Sequence, residues 1–194
     1  EVKREGHIHR MTFERGKPTS DLEIIGDTKE TGTKIIFKAD PEIFDVTVYN
    51  KKTLEDRFRE MAFLNKGVRL IFEDKRDESE VEFKFDGGIK EFVEYLNRNK
   101  TPIFKEVPYF EGRQESTEIE ISFQYTDGYS ENILTFANNI YTVEGGTHLS
   151  GFRSALTRSV NDYARKYNLL KENEDNLQGD DAREGITAII SVKI

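Results

Sequence analysis

The feature that most constrains the fold is the long amphipathic segment that follows Gly145-Gly146. Two glycines in a row admit backbone angles that other residues avoid, and Thr147 behind them is a typical helix cap, so a sharp turn into a helix is expected. At about 100° per residue, one set of apolar side chains falls within an arc of about 80°. That set is Leu149, Phe152, Leu156, Val160, Tyr163 and Tyr167. The segment is therefore predicted to be a helix that packs through this face.

The opposite side of this predicted helix is basic. Arg158 and Arg165 lie nearly opposite the apolar arc, Arg153 and Lys166 lie on its flanks, and Asp162 is the one acid among them. Four cations less one anion leave a local charge of +3, whereas the whole chain has a formal net charge of -8. Spacing alone leaves two interpretations open. The surface is either a solvated helix face or a phosphate-facing patch on a protein that otherwise repels nucleic acid.

The composition excludes several kinds of chemistry. The 194 residues include no cysteine, which excludes disulfides, Cys-ligated zinc and thiol catalysis. No apolar run approaches the roughly 20 residues of a membrane-spanning helix, and the first residues lack the apolar core of a signal peptide, so a cytoplasmic protein is expected. Because the chain opens without Met and closes inside an apolar pattern, we expect it to be a segment of a longer protein.

The remaining patterns predict an α+β fold. In the first part of the chain, Arg4-Glu5-Gly6 supplies a turn, and Thr53 with Asp56 gives a hydroxyl cap followed by an acid three residues on. The predicted elements there are a hairpin over 1–15, strands over 22–25, 34–38 and 46–49, a helix from Thr53 to Lys66-Gly67, and a hairpin of strands 68–73 and 81–85.

A domain boundary is predicted at Gly87-Gly88, after which the pattern changes. Apolar residues at helical spacing predict a short helix over 89–96. Strict alternation over 118–125 predicts a strand with one buried face and one wet face, the latter carrying Ser122 and Gln124. Residues 186–194 are nearly all apolar, which is typical of a central strand.

Few residues outside the helix suggest a site. Two hydroxyls flank a glycine in Thr31-Gly32-Thr33, which is consistent either with a simple turn or with a loop that hydrogen-bonds to the edge of a ligand. The residue spacing of a phosphate-binding P-loop is absent. His7 and His9 share a strand face without a third metal ligand, and His148 has no catalytic partner. No catalytic residue and no metal site are therefore predicted in this chain.

Six segments, in this order, carry a close resemblance: FERGKPTSDLEIIGDTKETGT, EMAFLNKGVRLIFEDKR, GGIKEFVEYLNRNKTPIF, DGYSENILTFANNI, EGGTHLSGFRSALTRSVNDYARK and GDDAREGITAIISVKI. Over essentially its whole length the chain resembles the B subunits of bacterial DNA gyrase, the ATP-hydrolysing subunits of a type IIA topoisomerase, which is an isomerase. The paralogous B subunits of topoisomerase IV are the nearest alternative. A non-catalytic α+β interaction module is the alternative from another class.

The resemblance implies a division into two domains. Residues 1–88 would be the C-terminal portion of a GHKL-type ATPase α/β sandwich, and residues 89–194 the N-terminal portion of a mixed-sheet transducer domain with the long amphipathic helix. Thr31, Gly32 and Thr33 match the family's TGT motif, whose second threonine helps to bind the adenine of ATP. The family's other ATP- and Mg²⁺-binding residues lie outside this chain. The fragment alone is therefore expected neither to hydrolyse ATP nor to bind it tightly.

The resemblance also implies partners for the complete protein. These are double-stranded DNA, the gyrase A subunit, and a second copy of the B subunit, which joins the first in an ATP-bound clamp. A cavity inside that clamp admits a DNA segment in this family. On this basis the residues expected to face DNA are Arg153, Arg158, Arg165 and Lys166.

Overall fold

Contacts within the chain divide it into two units. The structure, a computed structural model, describes all residues from 1 to 194. The first unit is Glu1–Asn50 and the second is Lys51–Ile194. Each unit is built around its own sheet.

The first unit is made of six short strands: β1 (Val2–Arg4), β2 (His7–Arg10), β3 (Phe13–Glu14), β4 (Lys17–Pro18), β5 (Glu23–Asp27) and β6 (Gly32–Thr33). Four of them form an antiparallel sheet in the order β5-β2-β1-β6, and β3 pairs with β4. The predicted first hairpin is confirmed. Its turn places Glu5 at a φ of 54° and Gly6 at 86°, the positive angles that a two-residue hairpin turn requires.

Two strands predicted in the first unit are wrong. Residues 34–38 and 46–49 form no strand, although both runs are rich in β-branched and aromatic residues. The pairing of β6 with β1 ends where Glu1 and Lys34 exchange hydrogen bonds, and no strand lies beside the residues that follow. Strand propensity needs a neighbour to pair with, and this segment has none.

The second unit contains the remaining elements: α1 (Lys51–Leu64), β7 (Leu70–Asp74), β8 (Ser79–Phe83), α2 (Ile89–Leu96), β9 (Tyr109–Gln114), β10 (Thr117–Tyr125), β11 (Asn132–Ala137), β12 (Ile140–Tyr141), α3 (Thr147–Lys166), α4 (Gly179–Arg183) and β13 (Ile186–Lys193). The predicted hairpin of β7 and β8, the helix α2 and the strand β10 are confirmed. No helix is both long enough and apolar enough to span a membrane.

A five-stranded mixed sheet organises the second unit, in the order β12-β11-β13-β10-β9. Strand β13 pairs parallel with β11 and antiparallel with β10, so the prediction that it is central is confirmed. Its residues are buried from Ile186 to Val192, because helices cover both faces of the sheet. This explains why its sequence is apolar without alternation.

The two faces of this sheet carry separate apolar clusters. On one face, Phe63 of α1 and Phe92 of α2 pack with Val107, Phe136 and Ile189. On the other face, Phe152 of α3 packs against Ile186, Ala188 and Ile190 of β13, with partly buried residues of β10 around them. The unit is therefore a three-layer arrangement of helix, sheet and helix.

The predicted wet face of β10 is wrong at its C-terminal half. Ser122 and Gln124 are buried, because residues 97–108 cross that face of the sheet. The Ser122 hydroxyl donates to the carbonyl of Pro108 at 2.8 Å, and the Gln124 amide donates to the carbonyl of Phe104 at 3.0 Å. Asn97 links Gln124 to β13 by donating to the Gln124 side-chain oxygen at 3.0 Å and accepting from the Thr187 hydroxyl at 2.7 Å. Polar residues alternate in this half of β10 because their side chains form hydrogen bonds with the segment that covers the sheet, not because this face is solvated.

Helix α3 is confirmed, but two details of its prediction are wrong. Gly146, not Thr147, is the N-cap, and no side chain caps the helix. Tyr163 and Tyr167 are 58% and 55% exposed, while Asn161 and Ala164 are buried in their place. The buried face changes because the last turns pack against residues 169–177 and no longer against the sheet.

Candidate functional site

The loop that contains Thr31, Gly32 and Thr33 lies at the edge of the first unit's sheet. Gly32 and Thr33 form β6, which pairs with Lys3 and Val2 of β1. All three loop residues are exposed, and no atom lies within 4 Å of the position that a Cβ on Gly32 would take. The loop therefore offers two hydroxyls and an open backbone edge to a ligand.

The three histidines have protein partners or neighbours of their own. His7 Nδ1 lies 2.9 Å from Asp27 Oδ1, and the His7 and His9 rings meet edge to face with centroids 6.2 Å apart. His148 Nε2 lies 3.3 Å from the Thr142 hydroxyl. No group of three or more His, Asp or Glu side chains is placed to hold a metal ion.

A cleft of about 530 Å³ runs beside α3 in the second unit, which we call the α3 cleft. One wall is α3, and the other is the segment from Asn176 to Gly179 with Arg183 of α4. Arg153, Arg158 and Arg183 line it, and Asp162 is the one acidic residue in its lining. The lining therefore carries three cations and one anion.

Side chains of α3 hold the far wall of the α3 cleft in place. The Asn161 amide donates to the Leu177 carbonyl at 3.0 Å, and its oxygen accepts from the Leu177 N–H at 2.8 Å. Arg165 donates to the carbonyls of Lys171 and Glu174 and to the Asn176 side chain. Arg165 thus orders the chain that leaves the helix.

Arg153 lies at one end of the α3 cleft and is held by an acid. Its Nε and Nη2 both donate to Oε1 of Glu131, with Nε at 3.1 Å. The second oxygen of Glu131 accepts from Nε of Arg183 at 2.7 Å, and Arg183 also donates to Asp180 at 2.6 Å. Partial burial acts to raise the pKa of the Glu131 carboxyl, but the hydrogen bonds from the two arginines outweigh it, and the pKa lies below its ordinary value.

The other two predicted DNA-facing residues differ from Arg153. Arg158 lines the α3 cleft, is exposed and forms no ion pair with a carboxylate. Lys166 is also exposed, with its Nζ 5.5 Å from the centre of the Tyr167 ring, and it does not line the cleft. The structure therefore brings Arg153 and Arg158 together at one cleft and leaves Arg165 and Lys166 outside its lining.

The sequence patterns do not predict the roles of Glu131 and Arg183. Glu131 is separated from Arg153 by 22 positions and from Arg183 by 52. In the sequence, Glu131 belongs to a polar loop before β11, and Arg183 belongs to a short charged run before β13. No local pattern signals that these charges meet.

Comparison with known proteins identifies one family that this chain matches. The family model described as DNA gyrase B matches residues 88–194, which is more than half of the chain. The B subunit of DNA gyrase from Clostridium acetobutylicum is 57% identical over 195 aligned residues, which cover 100% of this chain and 31% of that protein.

Solved structures agree with this match. The 43K ATPase domain of Thermus thermophilus gyrase B, determined with an aminocoumarin, superposes with a TM-score of 0.85 at 39% identity and covers 100% of this chain and 53% of that one. The topoisomerase IV ATP-binding domain of Francisella tularensis superposes with a TM-score of 0.75 at 25% identity, covering 100% of this chain and 52% of that one. The predicted fold, the end of a GHKL-type ATPase sandwich followed by a mixed-sheet region, is confirmed by these likenesses.

Proposed function

The chain belongs to the DNA gyrase B family, and on that premise we propose that it is part of the ATPase subunit of a type IIA topoisomerase. The complete protein would couple ATP binding and hydrolysis to the passage of one DNA duplex through another, and so to supercoiling. The observation that carries this proposal is the 57% identity, across the whole chain, to a gyrase B subunit. Gyrase is favoured over topoisomerase IV, because the gyrase structure is 39% identical to this chain and the topoisomerase IV structure is 25% identical.

We propose that Thr31, Gly32 and Thr33 form part of the nucleotide site, with Thr33 beside the adenine of ATP. Support comes from the identity to a gyrase B subunit, which extends over the whole chain, and from the exposure of all three residues at a sheet edge. ATP and Mg²⁺ would be held mainly by residues that are not in this chain. The chain of residues 1–194 should then show no ATP turnover in a phosphate-release assay, and turnover by the purified chain would contradict this.

We propose that the exposed apolar side chains of the first unit pack against the part of the ATPase domain that precedes this chain in longer relatives. The chain spans 31% of the length of the first relative described above. Ile35, Ile36 and Phe37 are all largely exposed here, as are Leu22 and Ile24. A soluble domain rarely leaves so many large apolar side chains in water, and their burial would complete its core.

We propose that α3 faces duplex DNA through the α3 cleft. Support comes from the excess of positive charge in its lining on a chain of net charge -8 and from the exposed Arg158. DNA affinity that depends on such cations falls steeply with salt. Of the four proposed DNA-facing residues, Arg153 and Arg158 lie at the α3 cleft, and Arg158 is the least engaged by protein groups. Arg165 and Lys166 would contact DNA outside the cleft.

The test uses the complete holoenzyme that contains this chain. Arg158→Glu should weaken supercoiling and duplex binding, because a phosphate contact is replaced by repulsion. Arg113→Glu makes the same charge change on the exposed hairpin of β9 and β10, away from the α3 cleft, and is the matched control. Equal effects of the two variants would contradict the assignment of α3 to DNA.

The partners would be duplex DNA, the gyrase A subunit, and a second copy of the B subunit, and the compartment would be the cytoplasm. We also propose that the ATPase domain ends near residue 88 and that residues 89–194 begin the transducer domain. Size-exclusion chromatography of the complete protein with the purified gyrase A subunit, in the presence and absence of a non-hydrolysable ATP analogue, would test the assembly.

A further inference from the structure

Glu131 is the point at which three elements of the second unit meet. It precedes β11, and its two carboxylate oxygens are divided between Arg153 of α3 and Arg183 of α4. The two arginines are engaged to different degrees. The side chain of Arg183 is 13% exposed and has a second acid partner, Asp180, whereas that of Arg153 is 42% exposed and pairs with Glu131 alone.

The position of this cluster matters because Arg153 and Arg183 also line the α3 cleft. Arg158 in the same lining has no acidic partner. A phosphodiester in the cleft would have the unpaired Arg158 beside it and would compete with Glu131 for the guanidinium of Arg153. Release of Arg153 leaves Glu131 still paired with Arg183, so no carboxylate is left without a partner.

We propose that Glu131 is an internal competitor of DNA: it holds Arg153 in the absence of DNA and releases it to a backbone phosphate of a duplex that lies over the mouth of the α3 cleft. The proposal rests on the proposed function of α3 as a DNA-facing helix. Glu131 is a positioning residue under this proposal, since it acts on DNA through Arg153. The exchange is inexpensive, because a partly exposed ion pair contributes little to stability and a phosphate replaces the carboxylate with similar geometry.

The test is duplex binding by the complete holoenzyme over a series of salt concentrations. Glu131→Gln should tighten binding roughly two- to fivefold at low salt, because Arg153 no longer has to leave a carboxylate. Arg153→Gln should weaken binding and make the slope of log K against log salt shallower by about 0.9, which corresponds to one lost phosphate contact. In the Arg153→Gln background, Glu131→Gln should have no further effect.

Two controls separate competition from a simple change of charge. Asp180→Asn removes one negative charge from a side chain that is 97% exposed and pairs only with Arg183, so it should change affinity less than Glu131→Gln does. Glu131→Asp keeps the charge but shortens the side chain, so it should reproduce part of the gain. The unfolding midpoint of each variant shows whether the substitution has destabilised the packing of α3, in addition to removing the carboxylate that competes with DNA.

The outcomes distinguish the two proposals. If Arg153→Gln weakens binding but the effects of Glu131→Gln and Arg153→Gln are additive, the competitor role is wrong and the DNA-facing helix stands. If Asp180→Asn tightens binding as much as Glu131→Gln, the competitor role is also wrong. If neither Arg153→Gln nor Arg158→Gln changes affinity or its salt dependence, the DNA-facing assignment itself fails.

Discussion

The two units of this chain differ in how completely they bury large apolar side chains. In the second unit, Phe63, Phe136 and Ile189 are buried almost completely between helices and a five-stranded sheet. In the first unit, Ala39 is the one buried apolar residue, while Ile36 is 80% exposed. Both units contain strand-forming sequence, but only the second has layers on both sides of its sheet. Burial, rather than propensity, accounts for the difference in their cores.

The largest expected contrast comes from removing a large apolar side chain in each unit. Phe63 stacks between Phe85 and Phe92, at centroid distances of 3.6 Å and 4.6 Å. Phe63→Ala should therefore lower the free energy of unfolding of the second unit by about 3–5 kcal/mol, whereas Ile36→Ala should change that of the first by less than about 0.5 kcal/mol. Denaturant titrations followed by amide NMR report each unit separately.

The Ile36→Ala variant also tests the proposed covering of the first unit. In a longer protein that includes the preceding part of the ATPase domain, Ile36→Ala should cost about 2–5 kcal/mol, because the side chain becomes part of a core. A cost above about 1 kcal/mol in the chain of residues 1–194 would break the comparison, since the side chain would then already be buried in solution.

A second contrast uses two glycines with nearly the same backbone angle. Gly185 has a φ of 74° and Gly16 a φ of 76°. A Cβ on Gly185 would lie 2.5 Å from the carbonyl oxygens of Gly128 and Thr126, whereas nothing lies within 4 Å of one on Gly16. Gly185→Ala should cost about 2–5 kcal/mol and Gly16→Ala about 1–2 kcal/mol, because only the first adds a clash to the backbone strain. Similar costs in the same titrations would show that the turn before β13 relaxes.

A third contrast concerns polar side chains. Asn97 bonds to Gln124 and Thr187 inside the second unit, whereas the Thr28 hydroxyl accepts one bond from the Glu30 N–H at the surface of the first. Asn97→Ala should cost roughly 1–3 kcal/mol because it leaves buried groups without partners, and Thr28→Ala should cost less than about 1 kcal/mol. Thermal unfolding of the two variants, with wild type alongside, measures the difference. Asn97→Asp keeps the size of the side chain but replaces the amide that donates to Gln124 with a buried carboxylate oxygen, so it should also be destabilising.

The smallest difference between the two units is expected in the pH dependence of their stability, because both units contain ion pairs. Hydrogen bonds from the backbone and from Arg15 hold the pKa of Asp40 below its ordinary value of 3.8. Partial burial acts to raise the pKa of Glu131, but the hydrogen bonds from Arg153 and Arg183 hold it below its ordinary value of 4.5. A carboxylate whose pKa is lowered by folding stabilises the folded state when the pH is above its ordinary, unfolded pKa. This stabilisation is lost as the pH falls through the pKa of the folded state. The stability difference between wild type and Asp40→Asn, or Glu131→Gln, should therefore shrink below about pH 4 in both units. A difference that grows in acid would reverse the sign of the assigned shift.

Several elements could be predicted because their causes are local. Helix α2 follows from apolar residues at helical spacing, the β7–β8 hairpin from two apolar runs around a charged turn, and β13 from a run without alternation. The failures occur where a distant segment decides the outcome. Residues 34–38 have strand composition without a pairing neighbour, and Ser122 and Gln124 are covered by a segment that the alternation of β10 does not reveal.

For the candidate site, the sequence by itself determined that α3 is a helix with an apolar face and a cationic one, because residue spacing fixes direction around a helix. It also determined the family, through motifs spread over the whole chain. Only the tertiary structure decided which cations are available, by placing Arg153 on Glu131, Arg165 on residues 171–176 and Arg158 in the α3 cleft without an acid. Those pairings join residues far apart in the chain, and the fold, not the local pattern, brings such charges within reach of each other.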